Sequence, residues 1–216
     1  LHQRLKQRYP DVPLCIMGHS MGSFLTRTYL IRYPGTVKAA VIMGTGWQPR
    51  AAITGGLALA NAIAAVSGEN ATSELVTELA FGSYNKLFAP NRTKVDWLSA
   101  DESNVDDYIA DPLCGADATV GLFRQMLHGI RFNQRQSHLR QMDGEMPVLF
   151  VAGDKDPVGN CGKGVRQTYD AFRAAGMRDC TLKLYPGLRH EILNEKAYAA
   201  DITKNIEAWL LSRLEK

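Results

Sequence analysis

A serine with a glycine two positions away on either side, Gly18-His19-Ser20-Met21-Gly22, constrains this chain more than any other feature. It follows a short apolar run, Pro13-Leu14-Cys15-Ile16-Met17, and leads into a helical pattern from Phe24 to Tyr33. Strand, tight turn and helix with a serine at the apex is the arrangement of a nucleophile elbow. Such a turn strains the serine backbone, and side chains at Gly18 and Gly22 are expected to crowd the neighbouring backbone. It also aims the first free N–H groups of the helix at whatever the serine attacks, so Met21 N–H is the expected oxyanion donor. Turns in general favour Gly and Ser, so the motif alone does not separate a nucleophile from an ordinary strand–helix turn.

A serine hydroxyl needs a histidine to take its proton, and the histidine needs a carboxylate to orient it. In this type of fold the partners follow in the order Ser, Asp, His. Downstream, Pro147-Val148-Leu149-Phe150-Val151-Ala152-Gly153 reads as a buried parallel strand. It runs into Asp154-Lys155-Asp156-Pro157-Val158, which puts two carboxylates just past its carboxyl end. Cys180-Thr181-Leu182-Lys183-Leu184-Tyr185 reads as a further strand, followed by Pro186-Gly187-Leu188-Arg189-His190-Glu191. Acid and base thus fall at carboxyl ends of parallel strands, where open α/β sheets hold their sites. Ser20, one of Asp154 and Asp156, and His190 form the expected triad. Spacing alone does not choose between the two aspartates.

These segments carry a resemblance. Gly-His-Ser-Met-Gly-Ser at 18–23, Val-Ala-Gly-Asp-Lys-Asp-Pro-Val at 151–158 and Tyr-Pro-Gly-Leu-Arg-His-Glu at 185–191 resemble α/β-hydrolases of the monoacylglycerol lipase and lysophospholipase group, also labelled serine aminopeptidase-like. The likeness runs from the elbow to the C-terminus and is weakest between about Trp47 and Gln141. It implies Ser20 as nucleophile, Asp156 as the acid in preference to Asp154, and His190 as base. It also implies further strands ahead of the serine strand, with a loop whose backbone supplies the second oxyanion donor. The chain opens at Leu1, shortly before the serine strand. It is therefore expected to be the C-terminal part of a longer hydrolase, impaired if the second donor is missing.

The fold class expected is α/β: a mostly parallel sheet flanked by helices, with a helical cap insertion. Leu1 to Tyr9 reads as the end of a helix, and Val37 to Met43 as the strand after the serine helix. From Trp47 to about Gln141 the strand pattern stops and helical segments take over, an interruption too long for a plain connection. This divides the chain into core (1–46), cap (47–141) and core again (142–216), closing with a helix near Ala197–Leu214. Within the insertion, Ala51 to Val66 is apolar and rich in small residues, too short for a membrane span and interrupted by Gly55-Gly56. One of its faces is expected to roof an acyl pocket, with the glycines letting the helix shift. Phe81, Phe88, Trp97, Phe123, Met126 and Leu127 are candidate lining residues. Gly82-Ser83-Tyr84-Asn85 and Asp111-Pro112-Leu113-Cys114 read as loop punctuation. His19 is expected to pack locally, His128 and His138 to belong to the cap surface, and Glu191 to cap or pair locally.

The charge balance of +3, without a basic stripe, argues against a nucleic-acid partner. Four scattered cysteines without a Cys-x-x-Cys pair read as thiols in a reducing compartment, and the chain as cytoplasmic. No metal, organic cofactor or integral membrane segment is expected, and homo-oligomerisation is left open. The function expected is hydrolysis of carboxylic esters of apolar acyl groups, monoacylglycerol or lysophospholipid-like, through an acyl-enzyme. An aminopeptidase would use the same triad and add acidic residues for a free amine, for which Asp101-Glu102 or Asp106-Asp107 are candidates. A binding or assembly module without turnover is the remaining alternative.

Overall fold

The computed structural model describes residues 1–214. In chain order the elements are α1 (His2–Arg8), β1 (Cys15–His19), α2 (Met21–Arg32), β2 (Ala39–Met43), α3 (Arg50–Ser67), α4 (Glu74–Phe81), α5 (Glu102–Ala110), α6 (Val120–Asn133), α7 (Gln136–Leu139), β3 (Val148–Gly153), α8 (Lys163–Ala174), β4 (Cys180–Tyr185) and α9 (Ala199–Leu214). Two short 3-10 turns, Asn85–Phe88 and Asp96–Leu98, lie between α4 and α5.

The four strands pair in parallel in the order β1-β2-β3-β4. Strands β2 and β3 are buried at every position, which explains why their sequences are continuously apolar rather than alternating. Period-two geometry still sorts their side chains. Ala40, Ile42, Val148 and Phe150 point into a core shared with Leu30, Ile31 and Phe172 of α2 and α8. Val41, Met43, Leu149 and Val151 face the other way, onto Ile202 and Ile206 of α9. Phe150 meets Phe172 edge-on at 5.1 Å and is fully buried. Truncating such a ring costs about 3–5 kcal/mol.

All the strands run the same way, so their carboxyl ends share one edge of the sheet. Ser20 directly follows β1, Asp156 lies three residues beyond β3, and His190 five residues beyond β4. The residues between β2 and β3 form the helical layer α3–α7, within the range expected for the cap. Its two ends are tied together by Gln134, whose side chain accepts from Gln48 N and donates to Gln48 O, both at 2.8 Å. Arg27, with no exposed surface, ties core to cap: it donates to Thr45 Oγ1 (3.3 Å), Gly46 O (2.9 Å) and Asn133 O (3.3 Å). Burial pulls its pKa down to about 9, and no carboxylate bridges it among the described residues.

Gly55 and Gly56 do not interrupt α3. The helix runs through them for 18 residues with a mean hydropathy of 1.3, long and apolar enough by length and composition to cross a membrane. It buries Ile53, Leu57 and Ala60 and packs along α6. A Cβ at Gly56 would stand 2.9 Å from Leu127 Cδ1, so this glycine brings the two cap helices close.

Candidate active site

The turn after β1 holds Ser20 at φ 55°, ψ −121°, a left-handed conformation that a residue with a Cβ adopts only at a cost. The conformation is pinned from both sides. Ser20 N donates to Met43 O at 3.1 Å, while Ser20 O accepts from Ser23 N (2.9 Å) and Ser23 Oγ (2.5 Å). A Cβ at Gly18 would stand 2.2 Å from Gly22 O and 2.3 Å from Thr26 Oγ1, so glycine is required where α2 crosses β1. Gly22 differs from the expectation. A Cβ there meets nothing within 4 Å, because position 22 is the side of the contact that contributes its carbonyl, and its own α-carbon faces open space. Met21 opens α2, so its N–H belongs to the first turn, whose N–H groups have no partner within the helix.

Asp156 is fully buried. Its Oδ1 accepts from Val158 N (2.9 Å), and both carboxylate oxygens lie 3.0 Å from His190 Nδ1. Asp154 is placed differently: its Oδ1 accepts from Gly187 N at 2.8 Å and closes the turn after β4. The structure therefore pairs Asp156, and not Asp154, with the histidine. The loop bearing Asp156 is packed backbone to backbone on the turn after β2, since a Cβ at Gly46 would stand 2.3 Å from Val158 O.

His190 is only 3% exposed. Its ring lies between two others, His19 at 4.5 Å and Trp97 at 5.2 Å. His19 Nε2 donates to His190 O at 3.0 Å, and burial, then the neighbouring His190, pulls the pKa of His19 below its ordinary value. His19 thus packs locally as expected, as a neutral strut beneath His190. With Nδ1–H facing Asp156, the neutral tautomer of His190 leaves Nε2 free to accept a proton. Among the described residues no hydrogen bond joins Ser20 Oγ to His190.

The loop bearing His190 is lashed to the cap. Arg189 donates to Asp96 O and to Ser99 O (3.0 Å). Glu191 N donates to Leu98 O (2.8 Å), and Glu191 accepts from Asn104 Nδ2 (2.9 Å). The buried carboxylate of Glu195 accepts from Ala100 N (2.8 Å) and Asp101 N (3.1 Å). These pairs link residues about ninety positions apart, and no motif announces them.

Ser20 opens into a cavity of about 470 Å³ walled by α3, α4 and α6. Of the expected lining residues, Phe81, Trp97, Phe123, Met126 and Leu127 are there. Phe88 is not: its ring lies under the Arg189 guanidinium at 4.0 Å, because it serves the link between cap and His190 loop. The roofing face of α3 is supplied by Ala52, Ile53, Gly56 and Leu59. Tyr84, read from the sequence as loop punctuation, also lines the cavity, against Phe81 (5.9 Å) and Trp97 (5.2 Å). None of the four acidic residues considered for binding an amine lines it. Asp101 caps α5 through Ser103 N (3.0 Å), Asp106 and Glu102 pair with Arg92 (2.7 and 3.8 Å), and Asp107 pairs with Lys196 (3.7 Å).

A parallel sheet with this strand–serine–helix turn defines an α/β-hydrolase. The chain belongs to the serine aminopeptidase, S33 family (Hydrolase_4), whose model matches residues 1–197, and is monoacylglycerol lipase-like within it. It is 31% identical over 211 residues to a protein named monoacylglycerol lipase from Mycolicibacterium smegmatis, covering 95% of this chain and 65% of that one. It is 25% identical over 217 residues to a monoglyceride lipase of Mus musculus, covering 97% and 62%. The chain thus spans somewhat less than two thirds of these curated relatives. Among solved structures, a thermostable carboxyl esterase from Bacillus coagulans superposes with a TM-score of 0.90 at 24% identity, covering 98% of this chain and 68% of that one. A lipase in its open form superposes with a TM-score of 0.85, also at 24% identity, covering 99% and 69%.

Proposed function

We propose that this chain carries the catalytic triad of a serine ester hydrolase acting on esters of apolar acyl groups. The observation that carries the reading is the buried Asp156–His190 pair at the carboxyl edge that also holds the strained Ser20 at the floor of an apolar cavity. His190 Nε2 takes the Ser20 proton as the hydroxyl attacks the ester carbonyl, a contact that tightens in the substrate complex. Asp156 holds the tautomer and stabilises the imidazolium. Met21 N–H hydrogen-bonds the oxyanion. His190 then returns the proton to the leaving alcohol, and an acyl-Ser20 intermediate is hydrolysed by a water that His190 activates. Residues 47–141 act as a cap that receives the acyl chain, between core segments 1–46 and 142–216.

The lipase and esterase names of the relatives support an ester substrate. The absence of any carboxylate among the cavity residues favours it over a peptide's free amine. A fluorophosphonate followed by intact mass tests the reading. One adduct is expected on the chain and none on Ser20→Ala. An adduct that persists in Ser20→Ala would place the nucleophile elsewhere. Hydrolysis of aminoacyl anilides in preference to p-nitrophenyl esters would favour the peptidase.

A further inference from the structure

A second cleft, of about 380 Å³, opens between the core helix α2 and the cap helix α6 and shares no lining residue with the cavity above Ser20. Three arginines line it: Arg32 from the last turn of α2, Arg131 from α6, and Arg135 just beyond α6. No Asp or Glu lines it, and none of the three arginines makes an ion pair among the described residues. Elsewhere, Arg92, Arg124, Arg178 and Arg213 each sit against a carboxylate. Three like charges around one cleft repel one another, a cost that a bound anion removes.

Two of the guanidiniums are steadied by neighbours. Arg32 lies over the Phe132 ring at 5.2 Å, and Arg131 Nη2 donates to His128 Nδ1 at 3.1 Å. Accepting at Nδ1 leaves the proton of the neutral imidazole on Nε2, so His128, which lines the cleft, is a donor as well. Gly129 belongs to the same wall, inside α6, where glycine is less favourable than alanine. A Cβ there would meet nothing within 4 Å, so packing does not call for the glycine. Guanidinium forks match the oxygens of carboxylates and phosphates, and a lone carboxylate would neutralise only one of the three. We propose that this cleft is a binding site for a multiply charged oxyanion of the phosphate type, held by Arg32, Arg131 and Arg135. Such a ligand joins α2, which opens directly after Ser20, to α6, whose Phe123, Met126 and Ile130 wall the cavity above it. The site does not rest on the ester-hydrolase reading.

Phosphate groups of this kind occur on small molecules and on lipid headgroups, and the test has an arm for each. Inorganic pyrophosphate is titrated calorimetrically into the chain at fixed ionic strength, without divalent cations. In parallel, the chain is sedimented with phosphatidylcholine vesicles carrying phosphatidic acid, with and without competing pyrophosphate. One saturable site is expected, weakened about ten- to hundredfold in Kd by Arg131→Gln or Arg135→Gln, the range of one hydrogen bond to a charged group. Both arginines are exposed, so the variants are expected to melt like wild type without ligand. Arg166→Gln, an exposed arginine of α8 outside the cleft, removes the same charge and is expected to leave Kd unchanged. Pyrophosphate binding without vesicle binding identifies a free phosphorylated compound as the ligand. Vesicle binding that pyrophosphate displaces and Arg131→Gln weakens identifies a headgroup. Binding of neither probe, or binding that Arg166→Gln weakens as much as Arg131→Gln does, overturns the site.

Discussion

Replacing Ser20 by glycine separates the strain of the elbow from its chemistry. Ser20 sits at φ 55°, ψ −121°, and a residue with a Cβ held in such a region costs on the order of 1–3 kcal/mol. Ser20→Ala removes the hydroxyl but keeps the Cβ and therefore the strain. Since no hydrogen bond joins Ser20 Oγ to His190 in this structure, the alanine variant should stay within about 0.5 kcal/mol of wild type. Ser20→Gly releases the strain, offset by about 0.4–1 kcal/mol from the greater freedom of glycine in the unfolded chain. The net expectation is a glycine variant more stable than the alanine variant by about 0.5–2 kcal/mol, or about 2–6 °C in Tm for a domain of this size. Urea denaturation of both variants at matched conditions reads this directly, with an unchanged m-value confirming the same unfolding transition. Neither variant should hydrolyse esters. If Ser20→Gly is no more stable than Ser20→Ala, the elbow stores no strain and the argument fails.

Asp156→Asn should lower turnover of an activated ester by about ten-thousandfold with little change in fold, because it favours the wrong tautomer of His190; steady-state kinetics beside a thermal melt check both parts. Gly46→Ala should destabilise by about 1–3 kcal/mol or more, since its Cβ would stand 2.3 Å from Val158 O. Gly55→Ala, with open space around it inside α3, should stabilise by about 0.5–1 kcal/mol; chemical denaturation of the pair gives opposite signs if the packing is as described. His19 has a folded pKa below its unfolded value of 6.5. The unfolded state therefore binds the proton more readily, and this share of stability is complete above pH 6.5 and lost as pH falls towards the folded value. Tm measured against pH should show a loss in that window that is smaller in His19→Gln. Burial pushes the Cys180 thiol up to about 11, so iodoacetamide at pH 8 should modify it well after exposed Cys161, as followed by peptide mass mapping.

Much of the core was legible because its signals are local. Strand ends read from the apolar runs fall within two residues of Ala39–Met43 and Cys180–Tyr185, and β3 begins one residue after Pro147. Such runs are what a strand buried on both faces requires, so little else competes with the reading. Ser20, Asp156 and His190 were nameable for a similar reason: each follows a strand, and parallel strands deliver their ends to one edge. The choice of Asp156 over Asp154 was not local. Both follow the same strand, and it is the turn after β4 that takes Asp154 for Gly187 N and leaves Asp156 to face His190.

The cap resisted reading because its side chains are decided by partners far along the chain. Phe88 and Trp97 are both aromatic residues in loop-like sequence. One lies beneath Arg189 and the other against His190 only because the 85–107 segment docks on the loop after β4. Tyr84 looked like punctuation for the same reason, its place in the cavity being set by Phe81 and Trp97. What the sequence by itself determined is the order of strand, serine turn, aspartate pair and histidine, since periodicity and turn chemistry act over a few residues. Which aromatic and polar side chains meet above Ser20 was decided by tertiary structure alone, because contacts across ninety residues leave no period or spacing in the chain.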